Sequence, residues 1–298
     1  MRIDDSGSAS ATAAQAAFTQ AEPHTPATVQ AEAAAGTEAL PTAPSQTLAQ
    51  LAKDGTAARF VGRTPDAPPP QPALPPVDGY QVGQPQRPSF HWDEDFAYNT
   101  ASAGAGDYVA AAEWQAKLAG AQVLRPDLAD AAAAYAHYWG NTGSPLQVNY
   151  AKAYRDDSAV RSNVDSEIAR TAAAVDRMAA GGATTFSVTG PAHAAGQYPV
   201  TENWQKTIGA YQQWSSADVK VEGNQVTMTV TVHAEDHYNF NRGQSDIASG
   251  APDNANGRFT ELGWAKPFDT HGEITRTITW TLGSPPSAAV VAQQAPDR

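Results

Sequence analysis

Residues 226–240, VTMTVTVHAEDHYNF, alternate their side chains with a period of two. That period does not fit a helix, where apolar groups return every three or four residues. It fits an extended strand whose side chains point to opposite faces in turn. Val226, Met228, Val230, Val232 and Ala234 share one face. The same count carries Asp236, Tyr238 and Phe240 onto it, and puts His233, Glu235, His237 and Asn239 on the other. A strand this long with one apolar face must be covered by something else in the chain.

The cover comes from upstream. DSAVRSNVDSEIARTAAAVDRMAAGG repeats Val160, Val164, Ile168, Ala172, Val175 and Ala179 at helical spacing and stops at Gly181. GDYVAAAEWQAKLAGA and RPDLADAAAAYAHYWG read as two further helices, the second with Pro126 at its first position and Gly140 as its stop. Beyond them the pattern turns to strands. ATTFSVTG alternates, and NWQKTIGAYQQWSSADVKVEGNQVTMTVTVHAED reads as two or three strands, with EGNQ closing a hairpin between Val219/Val221 and Val226. GEITRTITWTL is the last strand. Helices followed by strands give an α+β domain, its N-terminal helices packed on a mainly antiparallel sheet.

The domain spans residues 89–283. Residues 1–88 are rich in Ala, Pro, Thr and Gln, and all seven Trp lie beyond residue 90. A segment so poor in large apolar groups does not offset its ordering entropy, so it is expected to be a disordered tail and linker, with one short helix around SQTLAQLAKDG. SPPSAAVVAQQAPDR, residues 284–298, is expected to be a second disordered tail.

A net charge of −12 with no Lys/Arg run argues against nucleic acid as a partner. The absence of cysteine removes disulfides, thiolate nucleophiles and Cys-bound metals. No stretch reaches the roughly 20 apolar residues of a membrane span. Arg2 is followed by two aspartates and then by polar residues, which does not make a cleavable signal. The protein is expected to be cytoplasmic, or secreted without a cleavable signal peptide.

The last strand places Ile274, Ile278, Trp280 and Leu282 on one face with Arg276. Each long strand thus carries one charge inward, and a lone buried charge costs several kcal/mol. Asp236 and Arg276 are therefore expected to pair, or to share a network with Tyr238. On the other face His233, Glu235 and His237 form H-x-E-x-H. Alternate residues on a strand lie roughly 7 Å apart, so neighbours can share a metal only with a ligand from another strand, and a solvated polar face explains them equally. No cofactor or metal motif is assigned.

The segment from Asn241 to Gly272 carries little strand pattern, and a loop this long in a compact domain is usually functional or disordered. DNANGRFTELGWA reads as a short helix capped by Asp253 and anchored by Phe259, Leu262 and Trp264. An EF-hand aligned on Gly257 would start at Pro252 and end at Gly263, which excludes it. Asp246, Arg258, Asp269 and His271, with Asp236 and His237, supply titratable groups for acid–base chemistry, and a carboxylate can orient His271 or His237 in a hydrolytic site. SFHWDEDFAY is an anchor segment docking Trp92 and Phe96. No Walker loop, dinucleotide turn, G-x-S-x-G or H-E-x-x-H is present.

Tyr238-Asn239-Phe240-Asn241, Gly243, Asp246-Ile247-Ala248, Asn256-Gly257-Arg258-Phe259 and Leu262-Gly263, with ENWQKTIGAYQQW upstream, carry a resemblance. They resemble an uncharacterised C-terminal domain of bacterial secreted or polymorphic-toxin-like proteins, over residues 110–282. Asp236 and Tyr238 also match part of the Asp-x-Tyr-Asp motif of the colicin M group, which cleaves lipid II. Asn239 replaces the second Asp, and Ser245 and Asp246 stand where His and Arg belong. The resemblance implies a bacterial effector or toxin-like protein acting at the 236–272 surface on an unknown protein or envelope-related partner, with a cognate immunity protein. Its catalytic candidates are Asp236, His237, Tyr238, Asp246, Arg258 and His271. The alternative is a non-catalytic binding module presenting Trp204, Tyr211 and Trp214 on the sheet surface. A lipid II-directed hydrolase is the further alternative.

Overall fold

The computed structural model describes residues 73–245 and 250–294. The short helix expected near SQTLAQLAKDG and the candidate Asp246 lie outside the described residues. The fold is α+β. Among the described residues seven α-helices run α1 (Ala105–Leu124), α2 (Ala129–Trp139), α3 (Tyr150–Asp156), α4 (Ser158–Ala179), α5 (Glu202–Ile208), α6 (Asn254–Glu261) and α7 (Ala288–Gln294). Seven strands run β1 (Gln81–Val82), β2 (Leu146–Gln147), β3 (Thr185–Thr189), β4 (His193–Ala194), β5 (Gln212–Glu222), β6 (Gln225–Tyr238) and β7 (Phe268–Thr281). The sheet order is β1-β3-β5-β6-β7-β2, with β4 on β5, and every pairing but the short β2–β7 one is antiparallel.

β6 is the centre of the sheet, and its parity holds to its end. Val226, Met228, Val230, Val232 and Ala234 are buried, with Asp236 and Phe240 beyond them. The hairpin from β5 turns through Gly223 at φ 62°, pairing Glu222 with Gln225. α4 lies across the inner face. Its Val160, Val164, Ile168, Ala172, Val175 and Met178 join Met228, Val230, Ile274 and Ile278 in one apolar cluster. Each such side chain contributes about 1.5–3 kcal/mol by leaving water. Asp157 begins α4 as its N-cap, accepting from the Ala159 and Val160 N–H groups. The same buried carboxylate accepts from Val200 N, Thr201 N and Thr201 Oγ1, tying the entry of α5 to the start of α4.

A second cluster gathers Trp114 of α1, Tyr135 and Tyr138 of α2, Phe259 of α6, Phe268, Phe240 and Phe96. Ala234 belongs to the first cluster and Phe240 to the second, so Asp236 stands at the seam between them.

Three expectations are corrected. The segment 202–208 is helix α5, not strand. It buries Asn203, Trp204, Lys206, Thr207 and Ile208, and seven residues are too few to display a helical period. Part of the expected linker is built into the fold, because β1 adds to the sheet and Leu74, Val77 and Tyr80 pack on the first cluster. Part of the expected C-terminal tail is helix α7, which docks on α4 and buries Val291. Gln294 of α7 also reaches the β7 backbone, accepting from Thr279 N at 3.3 Å and donating to Thr279 O at 3.4 Å.

Candidate functional site

Toward the hairpin end, the outer face of β6 and β7 is a row of threonines, with Thr229–Thr277 and Thr231–Thr275 hydroxyl pairs across strands. Toward the far end of β6 it changes character. The register sets His233 opposite Glu273, Glu235 opposite His271 and His237 opposite Asp269, and sets Trp214 of β5 beside His233. Three histidines and three carboxylates therefore share one patch. Sequence parity identifies the β6 members. Asp269 and His271 are candidates from the sequence too, but the register is what sets them beside β6, and Glu273 emerges from the register alone.

Glu235 organises the patch. It is 1% exposed and accepts from Arg87 Nε and Nη2 at 2.9 and 2.7 Å, from Trp214 Nε1 at 3.2 Å and from His271 Nδ1 at 3.1 Å. Burial pushes its carboxyl up, but the Arg87 and Trp214 hydrogen bonds, with the charges of Arg87 and His271, outweigh burial and hold it below the ordinary range. Glu235 is thus an ionised acceptor, which fixes the proton of His271 on Nδ1 and turns Nε2 outward. His237 is held the same way, its Nδ1 donating to Asp269 Oδ1 at 2.7 Å. That bond, opposed by partial burial, keeps the Asp269 carboxyl below its usual range.

His233 stacks on Trp214 at 3.8 Å, nearly parallel. Its Nε2 meets Ser216 Oγ at 3.1 Å, while its Nδ1 is buried with no hydrogen-bond partner. Burial first, then the neighbouring His271, pushes its pKa down to about 4, so the ring is neutral near pH 7.

A strap formed by residues 84–96 crosses this end of the sheet. Arg87 anchors it on Glu235, Trp92 stacks on His237 at 6.4 Å, and Phe96 plugs into the second cluster. Arg242 Nε and Asn239 Nδ2 hold the carbonyls of Asp95 and Asp93. Glu94 Oε1 lies 3.5 Å from His237 Nε2. The expected docking of Trp92 and Phe96 is thereby observed. No sequence signal marked Arg87 as a partner of Glu235, because its segment read as linker.

The structure separates the other candidates. Asp236 faces inward opposite Thr270, whereas Arg276 stands opposite Val230, six rows away and roughly 20 Å along the strand. The expected ion pair does not form. Arg276 instead lies over the Tyr154 ring at 4.8 Å, near Asp165. Burial pushes the Asp236 carboxyl up to about 7. Tyr238 stacks on Phe268 at 4.9 Å, also on the inner side. Arg258 pairs with Asp107 and Glu261 in a shallow cavity of about 490 Å³ lined by Phe96, Arg242 and Phe259, with neither His237 nor His271 in its wall. Trp204, Tyr211 and Trp214 are 1%, 1% and 3% exposed, so the expected aromatic docking surface is corrected to core. Of the five catalytic candidates among the described residues, only His237 and His271 come to the same patch.

Among the described residues no helix is long and apolar enough to cross a membrane. Comparison with family models, with curated proteins and with solved structures finds no match.

Proposed function

We propose that this domain is a bacterial toxin-like effector that acts hydrolytically through the outer face of its sheet, at the end covered by the strap. One observation carries the reading: two neighbouring imidazoles each have Nδ1 tied to a carboxylate, His237 to Asp269 and His271 to Glu235. A carboxylate on Nδ1 sets the tautomer and stabilises the imidazolium that forms when Nε2 takes a proton. His237 is the general base in this scheme, accepting a proton from water as the water oxygen bonds to the scissile centre, and returning that proton to the leaving group as the scissile bond breaks. Asp269 steadies the resulting charge. Trp92 and Glu94 cover His237 Nε2, so the strap lifts for substrate to reach it.

The binding-module alternative loses support with the burial of Trp204, Tyr211 and Trp214. The lipid II alternative rests on Asp236 and Tyr238, which lie on the inner side, apart from both oriented imidazoles. Export, an envelope-related target and a cognate immunity protein belong to the same reading and rest on the resemblance around residues 238–263.

The test is expression directed to the cytoplasm or to the periplasm, with growth as readout. The parent inhibits growth in one compartment, and His237→Ala and Asp269→Asn, verified as folded by circular dichroism, relieve it. A parent harmless in both compartments, or variants as toxic as the parent, overturns the reading.

A further inference from the structure

We infer that His233, His271 and Glu273 bind a divalent transition-metal cation of the zinc class at the open edge of the outer face. The inference shares His271 and its Glu235 support with the reading above, but not the His237–Asp269 pair that acts there as base.

On each ring one nitrogen is already engaged. His271 Nδ1 is tied to Glu235 Oε1 at 3.1 Å, which leaves Nε2 as the nitrogen nearest Glu273. His233 Nε2 meets Ser216 Oγ at 3.1 Å, which leaves its Nδ1 buried with no hydrogen-bond partner. Glu273 Oε2 stands 3.6 Å from that Nδ1 and 3.9 Å from His271 Nε2. One ligand atom from each residue fits within a mutual separation of 4.8 Å. Three potential ligand atoms thus converge with no hydrogen bond between them at these separations, which leaves the buried His233 Nδ1 unsatisfied.

A cation resolves it. Zinc takes imidazole nitrogen and carboxylate oxygen at about 2.0–2.2 Å in a tetrahedron, which puts ligand atoms about 3.3–3.5 Å apart. Small side-chain rotations bring the observed separations there. Two imidazoles and one carboxylate fill three positions and leave a fourth for water. Glu273 is 54% exposed and His271 31%, so that fourth position opens to solvent.

The support behind the ligands is equally specific. Metal-bound histidines hold their other nitrogen to a carboxylate or similar acceptor, which fixes ring orientation and raises basicity. Glu235 does this for His271, and is itself fixed by Arg87 and Trp214. Ser216 does it for His233, whose ring is also pinned flat against Trp214.

The test uses the purified full-length chain, stripped with a chelator and titrated with Zn²⁺ by calorimetry and with Co²⁺ by visible absorption. One equivalent binds, the Co²⁺ spectrum reports a tetrahedral nitrogen–oxygen site, and Zn²⁺ raises the unfolding temperature. Glu235→Gln weakens Zn²⁺ binding about 10–100-fold, as loss of a supporting hydrogen bond does, and Glu273→Ala, a change on an exposed side chain, weakens it about 100-fold or more. Glu222→Gln, on the remote hairpin, leaves it unchanged. Absence of stoichiometric binding, or full binding by folded Glu273→Ala and His271→Ala, overturns the inference. Metal binding by a non-toxic parent leaves the site standing and removes the hydrolytic reading. Toxicity without metal binding does the reverse.

Discussion

Asp236→Asn tests whether strand parity carries a carboxylate into the core without a partner. Its side chain is buried at the seam of the two apolar clusters, and among the described residues no arginine or lysine pairs with it. Burial drives its carboxyl from the ordinary 3.8 to about 7, against the lowering effects of the His237 charge and backbone N–H, with Asp269 adding a smaller push upward. The sign follows from which state holds the proton. Below about pH 4 the folded and unfolded chains are both protonated at this position, and stability is at its fullest. As pH rises through about 7 the unfolded chain has released its proton while the folded one still binds it, so stability falls by about 1.36 kcal/mol per pH unit. The whole displacement amounts to about 4 kcal/mol, and partial hydration of the ionised form trims it to about 2–4 kcal/mol. Above pH 7 both states are ionised and the loss levels off. Asparagine keeps the shape of the protonated acid and has no proton to lose. Urea unfolding followed by tryptophan fluorescence, at several pH values between 4 and 8, gives the difference directly. Near pH 4 the two proteins match within about 1 kcal/mol, and by pH 8 the variant is the more stable by about 2–4 kcal/mol. A difference that does not change with pH, or a parent that gains on the variant as pH rises, refutes the unpaired burial.

Other perturbations reach other parts of the molecule. Glu235→Ala leaves Trp214 Nε1 and Arg87 without their acceptor; because Arg87 rehydrates, the cost by chemical denaturation is about 2–4 kcal/mol, and proteolysis near residue 90 speeds up as the strap loosens. Gly257→Ala sets a methyl 2.2 Å from Phe96 Cε2, which evicts the ring and costs about 1–3 kcal/mol in the same assay. Asp157→Ala removes the α4 cap and the acceptor for Val200 and Thr201, lowering stability by about 2–4 kcal/mol, whereas Arg276→Ala on the exposed side of Tyr154 changes it by less than about 1 kcal/mol.

Periodicity made much of this architecture legible. The two-residue count through β6 and the helical count through α4 name eleven members of the first apolar cluster, the two faces that meet at its centre, because each rule depends only on neighbours along one element. Parity says which face a side chain takes but not which row it meets. Asp236 and Arg276 share a face as expected, yet the β6–β7 register is set across the long 239–267 connection rather than by a tight turn, and it slides them six rows apart. The candidate site suffered from the same gap. His233, Glu235 and His237 were visible as a set, while Asp269, His271 and Glu273 join them only once that register is known. Arg87 comes from a stretch whose composition reads as linker, although two or three anchoring side chains suffice to lay it on the sheet.

β7 borders the sheet for most of its length, because β2 pairs with it only at Thr270 and His271. Gln294 meets the backbone of Thr279 with its side-chain amide, imitating the peptide group of a missing neighbour. Deleting residues 288–294 would strip that imitation away and return the Thr279 amide and carbonyl to solvent. Unpaired edge groups invite strands from other molecules, so one glutamine side chain blunts the border where it sits.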